Sequence, residues 1–240
     1  MTRWLSNAMT TATPPRARVV FLLDVDNTLL DNDGVIADMR VALGREVGAE
    51  KEARYWSIFE QCRAEVGYAD YLGALQRFRL EDPHDPNLLA ISSMLLNYPF
   101  QERLLPGALD VVRHLAEWGT TVILTDGDVV FQPLKIERSG LAAAVDGRVL
   151  IYVHKEHELA DVERRFPADH YVLVDDKVRI LTAVKAVWGA RVTTVFPKQG
   201  HYATDPSVAG YPAPDFTFDR IAGLLAQTPP PGADRARSKT

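Results

Sequence analysis

The sequence predicts an α/β protein: a Rossmann-like open parallel sheet with helices on both faces, interrupted by an inserted α-helical cap subdomain. Three observations predict it. Short continuous apolar runs, rich in β-branched and large residues, recur along the chain as in strands buried on both faces of a parallel sheet. Single helical patterns separate most of them, which implies right-handed crossovers. One interval, 33–103, breaks the alternation with helix-like periodicity and no strand, and it is too long for a loop.

Taken in order, Met1 to Val20 has no acidic residue, contains Arg3, Arg16 and Arg18, and is rich in Thr and Ala. A disordered extension over 1–17 is expected in preference to a transit peptide. The first strand is Val19 to Leu23, and the core is expected over 18–32 and again over 104–227. Within the interval 33–103, Tyr55, Ile58, Phe59 and Cys62 share one helical face, as do Tyr71, Leu75 and Phe78. Pro106 to Trp118 reads as a helix with Leu109, Val112, Leu115 and Ala116 inward, Pro106 suiting its first turn and Gly119 its end. Strands follow at Thr121 to Leu124, Val149 to Val153, Tyr171 to Val174 and Val192 to Phe196, with a short sixth at Phe216 to Phe218. Between the fourth and fifth, Ile180, Leu181, Val184, Val187 and Trp188 form one stripe closed by Gly189. The proline-rich segment from Thr228 predicts a disordered tail over 228–240.

Composition excludes several classes of function. The 240 residues are 47% hydrophobic and 25% charged, with a formal charge of −5 and no Lys/Arg block, so no nucleic-acid footprint is present. No apolar run approaches the roughly 18 to 20 residues that a membrane helix needs. Cys62 is the only cysteine, so no intrachain disulfide can form, which fits a reducing, cytoplasmic setting.

Four polar sites each stand just past an apolar run, where open α/β sheets bind ligands. They are Asp24-Val25-Asp26-Asn27-Thr28, Thr125-Asp126-Gly127-Asp128, Lys155 and Asp175-Asp176. Several half-buried carboxylates in one crevice repel each other unless a cation joins them. An all-oxygen set with few protein ligands suits Mg²⁺, which commonly bridges to phosphate. A carboxylate attacking phosphorus needs such an ion and a lysine beside it. Thr125 offers a hydroxyl, and the amides after it offer an anion nest at a helix start.

These four segments resemble the four signatures of the haloacid dehalogenase (HAD) superfamily, in order and on the expected elements. The resemblance implies that Asp24 is the nucleophile, forming an aspartyl-phosphate, and Asp26 the general acid/base. It implies that Thr125, with Asp126 beside it, and Lys155 hold the transferred phosphoryl group. Metal would be held by Asp24, by the Asp26 backbone carbonyl, and by Asp175 and Asp176, with Asp176 the stronger candidate of the pair. The insertion point resembles the type with a helical cap between the first and second motifs. A small phosphorylated metabolite is then the expected partner and a Mg²⁺-dependent phosphohydrolase the expected activity. Two residues depart from the family pattern: Asp126 stands where an uncharged residue is common, and Lys177 follows the acid pair, where it would weaken a metal site by pairing with it.

The same residues admit other readings. Lys135 is the rival to Lys155, which is preferred because it lies just past a strand end. His154 and His157, with Glu156 and Glu158, raise a zinc site on weak spacing. Cys62, Trp56, Phe59 and Tyr68 are expected to pack helices. A receiver domain would place its acid pair first rather than last. A phosphomutase of the same superfamily, or a non-catalytic binding protein with this fold, would carry the same motifs.

Overall fold

The computed structural model describes residues 15–234. Strand β1 (Ala17–Leu23) is followed by four helices, α1 (Asn32–Val47), α2 (Ala49–Val66), α3 (Tyr71–Glu81) and α4 (Leu88–Leu96). The chain continues through α5 (Ala108–Ala116), β2 (Thr120–Asp126), α6 (Phe131–Arg138), α7 (Leu141–Ala144) and β3 (Val149–Tyr152). Then come α8 (Leu159–Arg165), β4 (Ala168–Val174), α9 (Val178–Trp188), β5 (Val192–Pro197) and β6 (Phe216–Phe218). All six strands pair in parallel, in the order β3-β2-β1-β4-β5-β6. The chain therefore builds outward from β1 on one side, then returns to β1 and builds outward on the other. The reversal falls between β1 and β4, and opens a crevice at their carboxyl ends.

Alternation along β1 decides which face each residue serves. Val19, Phe21 and Leu23 enter one apolar cluster with α5, α6 and α7, while Val20 and Leu22 enter another with α8 and α9. Helices thus cover both faces of the sheet. The helices of the insert form no separate core: Tyr55, Trp56, Phe59 and Tyr71 belong to the first cluster. Tyr71 stacks against Phe131 of α6 at 4.4 Å, and Phe100 meets the same ring at 5.5 Å. Helix starts are fixed by carboxylates, Asp31 accepting the amide of Gly34 at 2.9 Å and Asp70 that of Gly73 at 2.7 Å.

Four expectations need correction. The α5 stripe is rotated: Ala108, Val111, Val112 and Leu115 are buried while Ala116 is exposed, because the helix begins after Gly107, in a left-handed conformation, rather than at Pro106. In α9, Val187 lies off the buried stripe and is exposed. The disorder expected from Thr228 is contradicted as far as Ala233, since Pro230, Pro231, Gly232 and Ala233 are buried. Gly232 makes this close approach workable, because a Cβ there would lie 2.8 Å from Val172 and 2.9 Å from Thr193. The disorder expected over 1–17 fails likewise at its end, where Arg16 pairs with Asp169 and Ala17 opens β1 beside Ala168; the rest of these calls, over 1–14 and 235–240, fall outside the described residues.

Ending the chain at Thr228 should therefore destabilise the sheet rather than trim a free tail. A fall in Tm of at least about 2–4 °C is expected, the shift that roughly 1 kcal/mol produces in a chain of this size. Thermal unfolding of the truncated and full chains measures it, and identical curves would show that the packed tail contributes nothing.

Candidate active site

The carboxyl ends of β1 and β4 bring together Asp24 and Asp175, which stand 151 positions apart in the sequence. Asp24 leaves β1 buried, its amide donating to Val174 O at 3.0 Å. Asp175 and Asp176 leave β4 fully buried beside it. Oxygen atoms of Asp24, Asp175 and Asp176 lie within 4.8 Å of one another. The turn after Asp24 is tight, with Asn27 in the left-handed region (φ 57°) and Thr28 and Leu29 donating back to Val25 O. That turn carries Thr28 under the site, where its hydroxyl donates to Asp24 Oδ2 at 3.1 Å and accepts the Asp176 amide at 3.1 Å.

Lys155 reaches this group from the loop after β3. Its Nζ lies 2.5 Å from Asp24 Oδ1, 2.6 Å from Asp175 Oδ2 and 3.2 Å from Leu124 O. Burial works to lower the Lys155 ammonium, but Asp175 and Asp24 outweigh it and hold it above the ordinary lysine value. Lys135, the rival in sequence, sits elsewhere in the same site, its Nζ 2.6 Å from Asp26 Oδ1 and 3.0 Å from Asn32 Oδ1. Asp26 itself faces a cavity, with its side chain partly exposed.

The two acids after β4 differ in what they touch. Asp175 is engaged by Lys155 at one oxygen and by the Lys177 amide, 2.8 Å away, at the other. Neither oxygen of Asp176 has a hydrogen-bond partner among the described residues, and both are buried. Burial pushes the Asp175 carboxyl up to about 6, with Lys155 pulling against it. Burial, then the facing Asp24 and Asp175, push Asp176 well above the ordinary carboxylate value. An orphaned buried carboxylate beside two others is the donor set that a hard divalent cation such as Mg²⁺ completes.

Lys177 does not form an ion pair with either acid. Its ammonium lies 5.0 Å from the ring centre of Tyr202, in the chain after β5. Burial acts to lower it, but Asp24 and Asp176 prevail and raise it. Asp126 turns its Oδ1 to the Lys155 amide at 2.7 Å, and burial raises its carboxyl. Thr125 keeps its hydroxyl at the strand end, accepting from the buried Gln132 at 3.0 Å. The expected anion nest after it is not available at the helix start, because Asp128 Oδ1 takes the amides of Val130 and Phe131 at 2.7 and 2.6 Å. His154 and His157 approach each other, but no third ligand joins them among the described residues. Cys62 is buried in the apolar cluster, and burial raises its thiol.

Beside Asp26, Asp126 and Lys177 lies a cavity of about 240 Å³. The insert contributes Arg63 and Tyr68 to its wall, and the core contributes Gln132, Arg179, Tyr202 and Tyr211. Trp56 and Phe59 pack as expected, whereas Tyr68 belongs to the cavity rather than to helix packing. Sequence reasoning also missed Arg63, Tyr202 and the placement of Lys135. Tyr202 had a usable signal, since it follows the carboxyl end of β5 as the other site residues follow theirs.

No family model and no curated protein matches the chain. Solved structures do. One, described as a haloacid dehalogenase-like hydrolase from Burkholderia xenovorans LB400, is 60% identical, covering 88% of this chain and 96% of that one with a TM-score of 0.84. The HAD-hydrolase YfnB from Bacillus subtilis, bound to magnesium, is 16% identical over 88% and 98% of the two chains, TM-score 0.59. L-2-haloacid dehalogenase from Xanthobacter autotrophicus is 16% identical over 93% and 99%, TM-score 0.57. Among the described residues, no helix is long and apolar enough to cross a membrane.

The acid cluster predicts how stability responds to pH. A carboxyl raised on folding binds its proton more tightly in the native state, so between about 4 and about 6 the native state holds more protons than the unfolded one. Stability of the metal-free protein then falls as pH rises through that window. A cation that replaces those protons stabilises more as they leave. The gain in Tm on adding Mg²⁺ should be larger at neutral pH than at an acidic pH inside the window. Equal gains, or none, in thermal unfolding would remove the cation from this site.

Proposed function

The chain belongs to the haloacid dehalogenase-like hydrolase superfamily, and we propose that it is a Mg²⁺-dependent phosphohydrolase acting on a small phosphate monoester through an aspartyl-phosphate on Asp24. The observation that carries the reading is the Asp176 carboxylate, buried and unpartnered beside Asp24 and Asp175. Phosphoryl transfer uses a cation at that place. Attack on the carbon of a haloacid needs none, and further negative charge would burden its anion pocket.

Each residue then has a task that its contacts support. Lys155 and Thr28 fix the two oxygens of Asp24, so the carboxylate is aimed rather than free to rotate. Asp24 attacks phosphorus, its new O–P bond forming as the bond to the leaving oxygen breaks. Thr125 and Lys155 hold the oxygens of the group in transfer. Asp26, facing the cavity, gives its proton to the leaving alkoxide. It then takes a proton from the water that attacks phosphorus and releases inorganic phosphate from Asp24. Mg²⁺ would be held by the side chains of Asp24, Asp175 and Asp176 and by the backbone carbonyl of Asp26, with Asp176 the principal ligand. Its charge would offset that of the carboxylates and the phosphate as they approach. Helices α1 to α4 act as the cap, supplying Arg63 and Tyr68 to the cavity and limiting water at the reacting phosphorus.

Phosphate release from 4-nitrophenyl phosphate and from small alkyl phosphates, with Mg²⁺ and with chelator, tests the reading. Asp24→Asn keeps the shape and removes the nucleophile, so turnover should fall by several orders of magnitude. Retained turnover would rule out the covalent route.

Asp26 separates phosphate from halide chemistry. Asp26→Ala should cost roughly 10² to 10⁴ in turnover of an alkyl phosphate, whose leaving group must be protonated. The loss should be smaller for an aryl phosphate, and chloride release from 2-chloropropionate should be undetectable. Metal-independent chloride release indifferent to Asp26→Ala would reassign the enzyme to dehalogenation. A phosphomutase would show itself by requiring a sugar diphosphate for turnover.

A further inference from the structure

The part of the cavity wall that the insert contributes has its own charge pattern. Arg63, in the last turn of α2, lines the cavity and donates to the hydroxyl of Tyr202, a neutral partner. The carboxylate that approaches it, Glu60, stands at 3.7 Å and is 57% exposed, a solvated pair that offsets little of the charge. Glu65 is paired with Arg77 at 2.5 Å, while Asp205, which also lines the cavity, keeps its charge and accepts the Ser207 amide at 2.8 Å without pairing with Arg63. Tyr202 joins this cation to the reaction centre, its hydroxyl meeting Arg63 and its ring facing the Lys177 ammonium. One phenol therefore separates the two positive groups. Accepting from Arg63 leaves the phenol proton free to be donated to a second acceptor. A guanidinium and a phenol directed into one space match a carboxylate, which accepts from both. The space is small: about 240 Å³, below the roughly 300–1,000 Å³ of pockets that take drug-sized ligands.

Resting on the phosphohydrolase reading, we propose that the substrate is the phosphate monoester of a short hydroxy acid, its phosphoryl group at Asp24 and its carboxylate bound by Arg63 and Tyr202. Arg63 is then the specificity-determining residue that the insert contributes.

The test compares 3-phosphoglycerate with glycerol 1-phosphate, which differ by a carboxylate against a hydroxymethyl group, on the full chain with Mg²⁺. A preference for the acid of roughly tenfold or more in kcat/KM is expected, as for a charge-assisted hydrogen bond. Arg63→Gln should collapse that preference towards parity, Arg63→Lys should retain part of it, and Arg63→Glu should reverse it. Equal kcat/KM on the two esters, or a preference that survives Arg63→Gln, overturns the substrate assignment. If Asp24-dependent phosphate release persists in that case, the phosphohydrolase reading stands without it. No release from either ester or from 4-nitrophenyl phosphate overturns both.

Discussion

The site is organised around one buried ammonium. Lys155 brings its Nζ between Asp24 at the end of β1 and Asp175 at the end of β4, and also reaches the carbonyl of Leu124 in β2. Carried on the chain after β3, a single side chain thereby ties four strand ends together. Burying an ammonium costs several kcal/mol unless good geometry compensates it, and removing one partner of such a pair commonly costs roughly 3–5 kcal/mol. The carboxylates and the lysine therefore hold each other in place. Strand order makes the arrangement available, since β1 and β4 become neighbours where the sheet reverses its direction of growth.

The same arrangement leaves charge unbalanced. Three carboxylates, Asp24, Asp175 and Asp176, share the crevice with Lys155 and Lys177, so the cluster carries a negative excess whenever all three are ionised, and burial resists that state at Asp176. A phosphate entering it adds more of the same sign. The proposed transfer to Asp24 becomes electrostatically reasonable when a divalent cation neutralises that charge, and on that proposal the unpartnered oxygens of Asp176 would hold it. Lys177 contributes to this balance with an ammonium that pairs with neither acid, only its backbone amide meeting Asp175. Its ammonium rests against the Tyr202 ring, in the wall of the cavity.

Much of this was legible in the sequence because strands buried on both faces leave unbroken apolar runs, and the polar residue that ends each run marks the functional edge. Asp24, Thr125 and Asp175 follow that rule, as does Lys155 at one remove. What the sequence hid were residues whose chemistry depends on tertiary neighbours. Arg63 lies in an amphipathic helix among other charged residues, and only its approach to Tyr202, 139 residues away, distinguishes it. The packed tail escaped notice because a proline-rich stretch lacks helix and strand patterns, yet Gly232 can lie flat against Val172 and Thr193 without either. The anion nest was misread for a comparable reason: Asp128, two residues before Val130, looks like turn chemistry but caps the very amides that a phosphate would have used.

Helix α6 is the least conspicuous element in sequence and the one that couples the first two motifs. Gln132 and Lys135, three residues apart, project from one face of it. Both are buried, Gln132 donating to the Thr125 hydroxyl and Lys135 to the Asp26 carboxylate. The opposite pull comes from Phe131, whose ring anchors the helix start against Tyr71 of the insert and Phe100. A movement of the insert that displaced Tyr71 would act on Phe131, and through the rigid turn of α6 on the residues that orient Thr125 and Asp26. The insert is thereby joined, through α6, to the polar groups at Thr125 and Asp26. The link runs through apolar packing, and it takes polar residues on a buried helical face to convert that packing into chemistry.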